Sequence, residues 1–177
     1  MTVFISGGCK NGKSTIAEDL AKKLAEGSPL YYVATMVPSD DEDRHRIEMH
    51  VAERDGKGFE TVECPDGIAP CLARDRSGTF LVDSVTAYLS NKMFTREGKV
   101  LGNAGEKAAE DMLLLADSVK NAVFVSDYIY SDAEKYDELT ELYRKNLAHA
   151  DKMLAKRCEL VIEVSASGVT VHKGEMI

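Results

Sequence analysis

Gly7-Gly8-Cys9-Lys10-Asn11-Gly12-Lys13-Ser14, followed by Thr15, spaces its glycines, lysine and hydroxyl as a Walker A phosphate loop does. Glycines let such a loop curl with its N–H groups inward, and the helix N-terminus that follows adds positive potential. The Lys13 ammonium would reach the terminal phosphates, and the Ser14 hydroxyl is placed to hold Mg²⁺. The chemistry on offer is the binding of a nucleoside triphosphate. A second candidate is the apolar run 79–82 closed by Asp83, a Walker B pattern, which predicts a carboxylate beside the loop that coordinates Mg²⁺ directly or through water. Asp83 and Ser84 are equally open to capping the helix that begins near Val85.

A third candidate lies in the charged stretch 40–55, where steps of four put Arg46, His50 and Arg54 along one helical stripe. Guanidiniums on both sides disfavour the imidazolium form, so His50 is expected to be neutral and able to attack phosphorus. The same arginines would stabilise charge on an arriving phosphoryl group. A solvated histidine on a charged helix is the competing reading. His45 lies about 100° away on the helix wheel and lacks arginines at both four-residue positions.

These residues need elements to position them. Strand-like apolar runs at 3–6, 30–35, 79–83, 122–126, 160–165 and 169–172 alternate with helical patterns near 14–26, 40–55, 84–94, 104–118 and 135–156. Alternation of this kind predicts an α/β fold of the P-loop NTPase-like, three-layer type, with a mostly parallel sheet and helices on both faces. Ala166-Ser167-Gly168 predicts that the last two strands form an antiparallel hairpin. The 177 residues are expected to form a single nucleotide-binding transferase domain, 1–177.

A net charge of −8 argues against a nucleic-acid platform, which needs clustered lysine and arginine to displace counterions. No apolar run approaches the roughly 18 to 20 residues of a membrane span, and the chain enters strand and loop at once, leaving no room for a signal peptide. A cytoplasmic protein is expected. Cys9, Cys64, Cys71 and Cys158 show no CxxC or metal-ligand spacing and read as free thiols.

Taken in order, the glycine-rich loop, Tyr32-Val33-Ala34-Thr35, Arg46-Ile47-x-x-His50-x-x-x-Arg54, Thr61-Val62-Glu63 and Leu81-Val82-Asp83 leading to Thr86, Ser90 and Asn91 form a specific set. Together with Ser165-x-x-Gly168-Val169 near the end, they resemble the adenosylcobinamide kinase/adenosylcobinamide-phosphate guanylyltransferase family of cobalamin assembly. The resemblance implies a two-step enzyme. It would phosphorylate the aminopropanol hydroxyl of adenosylcobinamide, then transfer GMP from GTP to that phosphate through a guanylylated histidine, here His50. The kinase step would take GTP or ATP with Mg²⁺ on Ser14 and Asp83. By the same resemblance Gly7 to Thr15, Ala34, Thr35 and Met36 line the nucleotide site, and Glu63 reads the guanine. A homotrimer is implied as well.

The family pattern is departed from after the fourth strand. Asp127-Tyr128-Ile129-Tyr130-Ser131-Asp132 stands where Asn-Glu-Val-Gly and a Gly-Ile-Val-Pro turn are usual, and Arg144-Lys145 and Asp151-Lys152 replace Arg-Asp and Asn-Gln. Tyr128 and Tyr130 read as loop packing or as a reshaped acceptor pocket. Two other functions therefore stay open at this level: a P-loop kinase or nucleotidyltransferase with a different small-molecule acceptor, and a GTP-binding regulatory module without transfer activity.

Overall fold

The computed structural model describes residues 1–177 apart from Ser39, Arg96 and Ser167 and the side chains of Asp43, Arg46, His50 and Glu53. Strand β1 (Thr2–Gly7) runs into the glycine-rich loop and helix α1 (Lys13–Ala25), followed by β2 (Leu30–Ala34), α2 (Asp41–Arg54), β3 (Glu60–Glu63) and the short α3 (Ala69–Leu72). Then come β4 (Thr79–Asp83), α4 (Val85–Met93), α5 (Ala104–Ser118), β5 (Asn121–Asp127), α6 (Glu138–Arg157), β6 (Leu160–Ser165) and β7 (Gly168–Lys173). The strands order as β3-β2-β4-β5-β1-β6-β7. Every neighbouring pair is parallel except the antiparallel β6–β7 hairpin.

Alternation along the strands divides the core into two layers. Phe4, Tyr31, Val33, Phe80, Val82 and Phe124 point to the side covered by α4, α5 and α6. Val3, Ile5, Tyr32, Leu81, Val123 and Ile162 point to the opposite side, against Ala17, Leu20 and Ala21 of α1. Successive side chains of a strand face opposite ways, so the unbroken apolar runs 3–5 of β1, 80–82 of β4 and 122–125 of β5 mean a sheet covered on both faces.

Three features depart from the expectation. β3 and α3 were not among the predicted elements, because β3 has four residues of which only Val62 is buried, too short a run to show a period. Helix α6 begins at Glu138 rather than near 135, since the Asp137 carboxylate caps it by accepting from Leu139 and Thr140 backbone N–H groups, each at 3.0 Å. Most important for function, β4 is not the neighbour of β1: β5 lies between them, pairing Gly7 with Asp127 and Asp83 with Val125. The strand-end carboxylate next to the phosphate loop is that of Asp127.

Helices α5 and α6 meet where α5 carries no side chain. The Gly105 N–H donates to Asn146 Oδ1 at 2.6 Å, and the Asn146 amide donates to the Gly102 and Leu142 carbonyls at 3.1 and 2.8 Å. A β-carbon at Gly105 would press into the Asn146 backbone. Gly105→Ala should therefore lower unfolding stability in urea by roughly 1–3 kcal/mol, despite alanine's higher helix propensity.

Candidate nucleotide site

The loop between β1 and α1 is built around close approaches. Gly12 sits at φ 90°, a left-handed conformation that suits glycine. A side chain at Gly7 would collide with the Val164 carbonyl and the Asn11 amide, which are themselves hydrogen-bonded partners. Lys13 opens α1 with its side chain folded back across the loop and is 5% exposed. Its Nζ donates to the Gly8 carbonyl at 2.6 Å and to Asp127 Oδ1 at 2.7 Å. Cys9 is exposed on this loop, and all four cysteines are free thiols, although the Cys64 and Cys71 sulfurs approach to 3.2 Å in the interior.

Asp127 is held from behind. Its backbone N–H donates to Thr86 Oγ1 at 2.8 Å, Thr86 Oγ1 lies 3.4 Å from Ser126 Oγ, and the Thr86 carbonyl accepts from Tyr143 Oη at 2.9 Å. The chain of contacts continues inward to Asp151, whose Oδ2 accepts from Ser126 Oγ at 3.0 Å and Tyr130 Oη at 2.8 Å. Asp151 Oδ1 is buried without a hydrogen-bond partner. Burial pushes this carboxyl up to about 7, against the opposing effect of the two hydroxyl donors and with help from the nearby Asp127 charge. Tyr130 is thus a packing residue that seals the segment after β5 onto α6.

The rest of that segment is fastened by Arg144. Its guanidinium donates to Asp132 Oδ1 at 2.9 Å, Glu141 Oε1 at 2.8 Å and the Glu134 carbonyl at 3.1 Å, and lies 4.8 Å from the Tyr136 ring centre. The region that departs from the family pattern is consequently tied at both ends to α6.

One strand further from the loop, a cleft of about 260 Å³ opens between the sheet edge and α2. Ala34, Met36, Glu63 and Asp83 line it from the strand ends, and Ile47, Val51 and Arg54 from the helix. Asp83 Oδ2 accepts from Tyr32 Oη at 3.1 Å, and the Arg54 guanidinium stacks 3.4 Å above the Tyr32 ring. Burial first, and the Asp83 charge second, push the Tyr32 phenol far above its ordinary range, so it serves as a neutral donor to Asp83. The capping alternative falls to Ser84, whose side chain accepts from the Ala87 N–H at 3.2 Å. Thr35 is fully buried, with Oγ1 exchanging two 2.8 Å hydrogen bonds with the Ser84 backbone, so its hydroxyl braces the strand ends and does not line the cleft. Asn91 ties the same region together by donating to the Thr35 and Pro65 carbonyls at 2.7 and 2.9 Å.

The side chains of His50 and Arg46 lie outside the described residues. The helix that bears them is described, and position 50 shares a face with 47, 51 and 54 by the i, i+3, i+4, i+7 rule. Asp127, which pairs with Lys13 at the phosphate loop, is the residue of this site that sequence reasoning passed over, having been read as the start of a polar loop. The signal was present: an apolar run closed by a carboxylate occurs twice, at 79–83 and at 122–127. Among the described residues no cluster of three or more His, Cys, Asp or Glu could hold a metal. The Ser14 hydroxyl and Asp83 carboxylate are oxygen donors of the kind Mg²⁺ accepts when phosphates and waters complete its shell, so these residues fit that ion.

Asp151 generates a prediction about pH. Its folded-state pKa is about 7 against an ordinary value near 4, so the folded protein binds the extra proton and stability is lost as pH rises from about 4 to about 7. Asp151→Asn cannot ionise. The stability of that variant minus wild type, from urea unfolding, should grow across this window by roughly 2–4 kcal/mol and level off above it.

Comparison with known proteins bears on both fold and function. Solved structures similar to this chain include an ATPase domain (10% identity, TM-score 0.56, covering 98% of this chain and 76% of that one). A KaiC-like protein from Pyrococcus horikoshii OT3 matches at 15% identity and TM-score 0.50, covering 98% of this chain and 79% of that one. A second Pyrococcus horikoshii OT3 protein matches at 10% identity and TM-score 0.52, with 99% and 87% covered. At such identities these likenesses establish the fold, that of P-loop ATPases. A search among curated proteins gives no match. No helix among the described residues is long and apolar enough to cross a membrane. The model of the cobinamide kinase / cobinamide phosphate guanyltransferase family matches residues 3–172, and the chain belongs to that family of bifunctional enzymes in cobalamin synthesis.

Proposed function

We propose that this chain phosphorylates the aminopropanol hydroxyl of adenosylcobinamide and then transfers GMP from GTP to the product through a guanylylated His50. The observation that carries the reading is the cleft under α2. Its helical wall is formed by Ile47, Val51 and Arg54, and position 50 falls on that same face, opposite Glu63 and Asp83. A histidine there has the chemistry to attack an α-phosphorus: a nitrogen–phosphorus bond forms and pyrophosphate departs. An oxygen of cobinamide phosphate then attacks the same phosphorus, and the imidazole leaves. Splitting one displacement into two lowers each barrier.

The phosphate loop serves both steps. Gly7 to Thr15 would cradle the phosphates, with the Lys13 ammonium exchanging its present partners for phosphate oxygens. Ser14 and Asp83 would hold Mg²⁺, which when bound neutralises phosphate charge. Arg54, stacked on Tyr32, and Arg46 on the same helix would add positive charge near the α-phosphate. Glu63, exposed at the end of β3, can accept from the guanine N1–H and amino group. Ala34 and Met36 supply the apolar wall for the nucleoside. GTP or ATP serves the kinase step, the whole chain 1–177 acts as one unit, and three copies assemble.

Labelling with GTP carrying radioactive α-phosphate tests the reading. Wild-type protein should acquire an acid-labile, base-stable label, and His50→Ala should acquire none. Equal label on the two proteins, or no label on either, would overturn the covalent route. Turnover on adenosylcobinamide and on its phosphate checks the acceptor, and absence of transfer to either would replace it with another small hydroxyl compound.

A further inference from the structure

We propose that Tyr32 is a positioning residue for the metal site: its phenol holds the Asp83 carboxylate in the orientation that takes Mg²⁺ once nucleotide is bound, and so sets how tightly the nucleotide-loaded protein binds that ion. The proposal rests on the reading above that Ser14 and Asp83 hold Mg²⁺, and adds a residue to it.

Strand register brings the two side chains together. β2 and β4 are parallel, with Ala34 opposite Asp83 and Tyr32 opposite Leu81. Residues two apart on a strand share a face. Tyr32 and Leu81 both lie in the core layer against α1, so Asp83 falls on that same face, the one covered by the helix that carries Ser14. Tyr32 stands one step back along the neighbouring strand, and the small side chain of Ala34 leaves its ring a path to the carboxylate. The ring takes that path, and Tyr32 Oη donates to Asp83 Oδ2 at 3.1 Å.

Packing fixes the phenol. Tyr32 is buried, the buried guanidinium of Arg54 lies 3.4 Å from its ring centre, and the Phe59 ring meets it at a right angle with centres 6.2 Å apart. A hydroxyl held in this way restricts the carboxylate it donates to, and a ligand already oriented binds an ion with little further loss of freedom. The partner also has the right charge. A neutral phenol leaves the negative charge of Asp83 available to a cation, whereas the ammonium of Lys13, 2.7 Å from Asp127, competes with any cation for that carboxylate. Of the two strand-end carboxylates, Asp83 is therefore the one whose surroundings suit a metal.

The competing role for Tyr32 is packing alone, and Tyr32→Phe separates the two, since it keeps the ring and its neighbours and removes one hydroxyl. Protein loaded with a fluorescent ribose-labelled GTP would be titrated with Mg²⁺, and in parallel with Mn²⁺ whose free fraction is read by electron paramagnetic resonance. Nucleotide Kd in EDTA and melting temperature would be recorded alongside. Tyr32→Phe should raise the metal midpoint by about 10–100-fold while Kd in EDTA stays within about threefold of wild type. In Asp83→Asn, which has already lost the ligand, adding Tyr32→Phe should move the midpoint by less than about threefold. A midpoint for folded Tyr32→Phe within about threefold of wild type, a full further shift on top of Asp83→Asn, or an equal loss of nucleotide binding in EDTA would overturn the proposal in favour of packing. Should Tyr32→Phe fail to fold, Tyr32→Met, which also lacks the hydroxyl, is read in the same way. Metal titrations as expected in a protein that takes no label from GTP would support the Tyr32 role and refute the covalent route alone. Wild-type protein whose GTP binding no metal alters would overturn the Tyr32 role together with the metal site.

Discussion

A buried ammonium has to be paired, and in this protein that requirement organises the sheet. Lys13 is almost inaccessible to water and is satisfied by the Gly8 carbonyl and the Asp127 carboxylate. The pair is possible only if the end of β5 stands beside the end of β1, with Gly7 and Asp127 in register. That placement moves β4 one strand outward, carries Asp83 away from Lys13, and puts it beside the cleft that α2 roofs. Two carboxylates at neighbouring strand ends then have separate surroundings. Asp127 faces an ammonium, and Asp83 faces a phenol backed by a stacked guanidinium.

Behind Asp127, the segment that differs from the usual family pattern forms one polar network. Ser126, Tyr130 and Asp151 share hydrogen bonds across the interface between β5 and α6. Burial favours the neutral form of Asp151, which can then join this network as a carboxylic acid. Arg144 fastens the remainder of the segment through Asp132 and Glu141. The segment begins at Asp127, whose side chain pairs with Lys13. The cleft under α2 is built from other parts of the chain, Ala34, Met36, Arg54 and Glu63 among them.

Legibility in the sequence followed the physics of each feature. The long strands were visible because a sheet covered on both faces demands unbroken apolar runs, as at 3–5, 80–82 and 122–125. The four-residue β3 was not, since a single buried Val62 carries no period. Thr86 and Asn91 could be picked out as pattern residues, but their work is done through atoms distant in sequence: the Asp127 N–H for one, the Thr35 and Pro65 carbonyls for the other. Thr35 is a further case: its hydroxyl braces the Ser84 backbone, far away in sequence.

By itself the sequence determined the local devices: a glycine-rich loop that only small residues can form, a lysine and a hydroxyl at its end, an arginine–histidine stripe at helical spacing, and strands that must be buried. Tertiary structure alone decided which strand end lies next to which. Pairing order is set by how crossover helices pack on the two faces, a long-range matter that leaves no mark on any short window of residues. For that reason Asp127, and not Asp83, came to hold the phosphate-loop lysine.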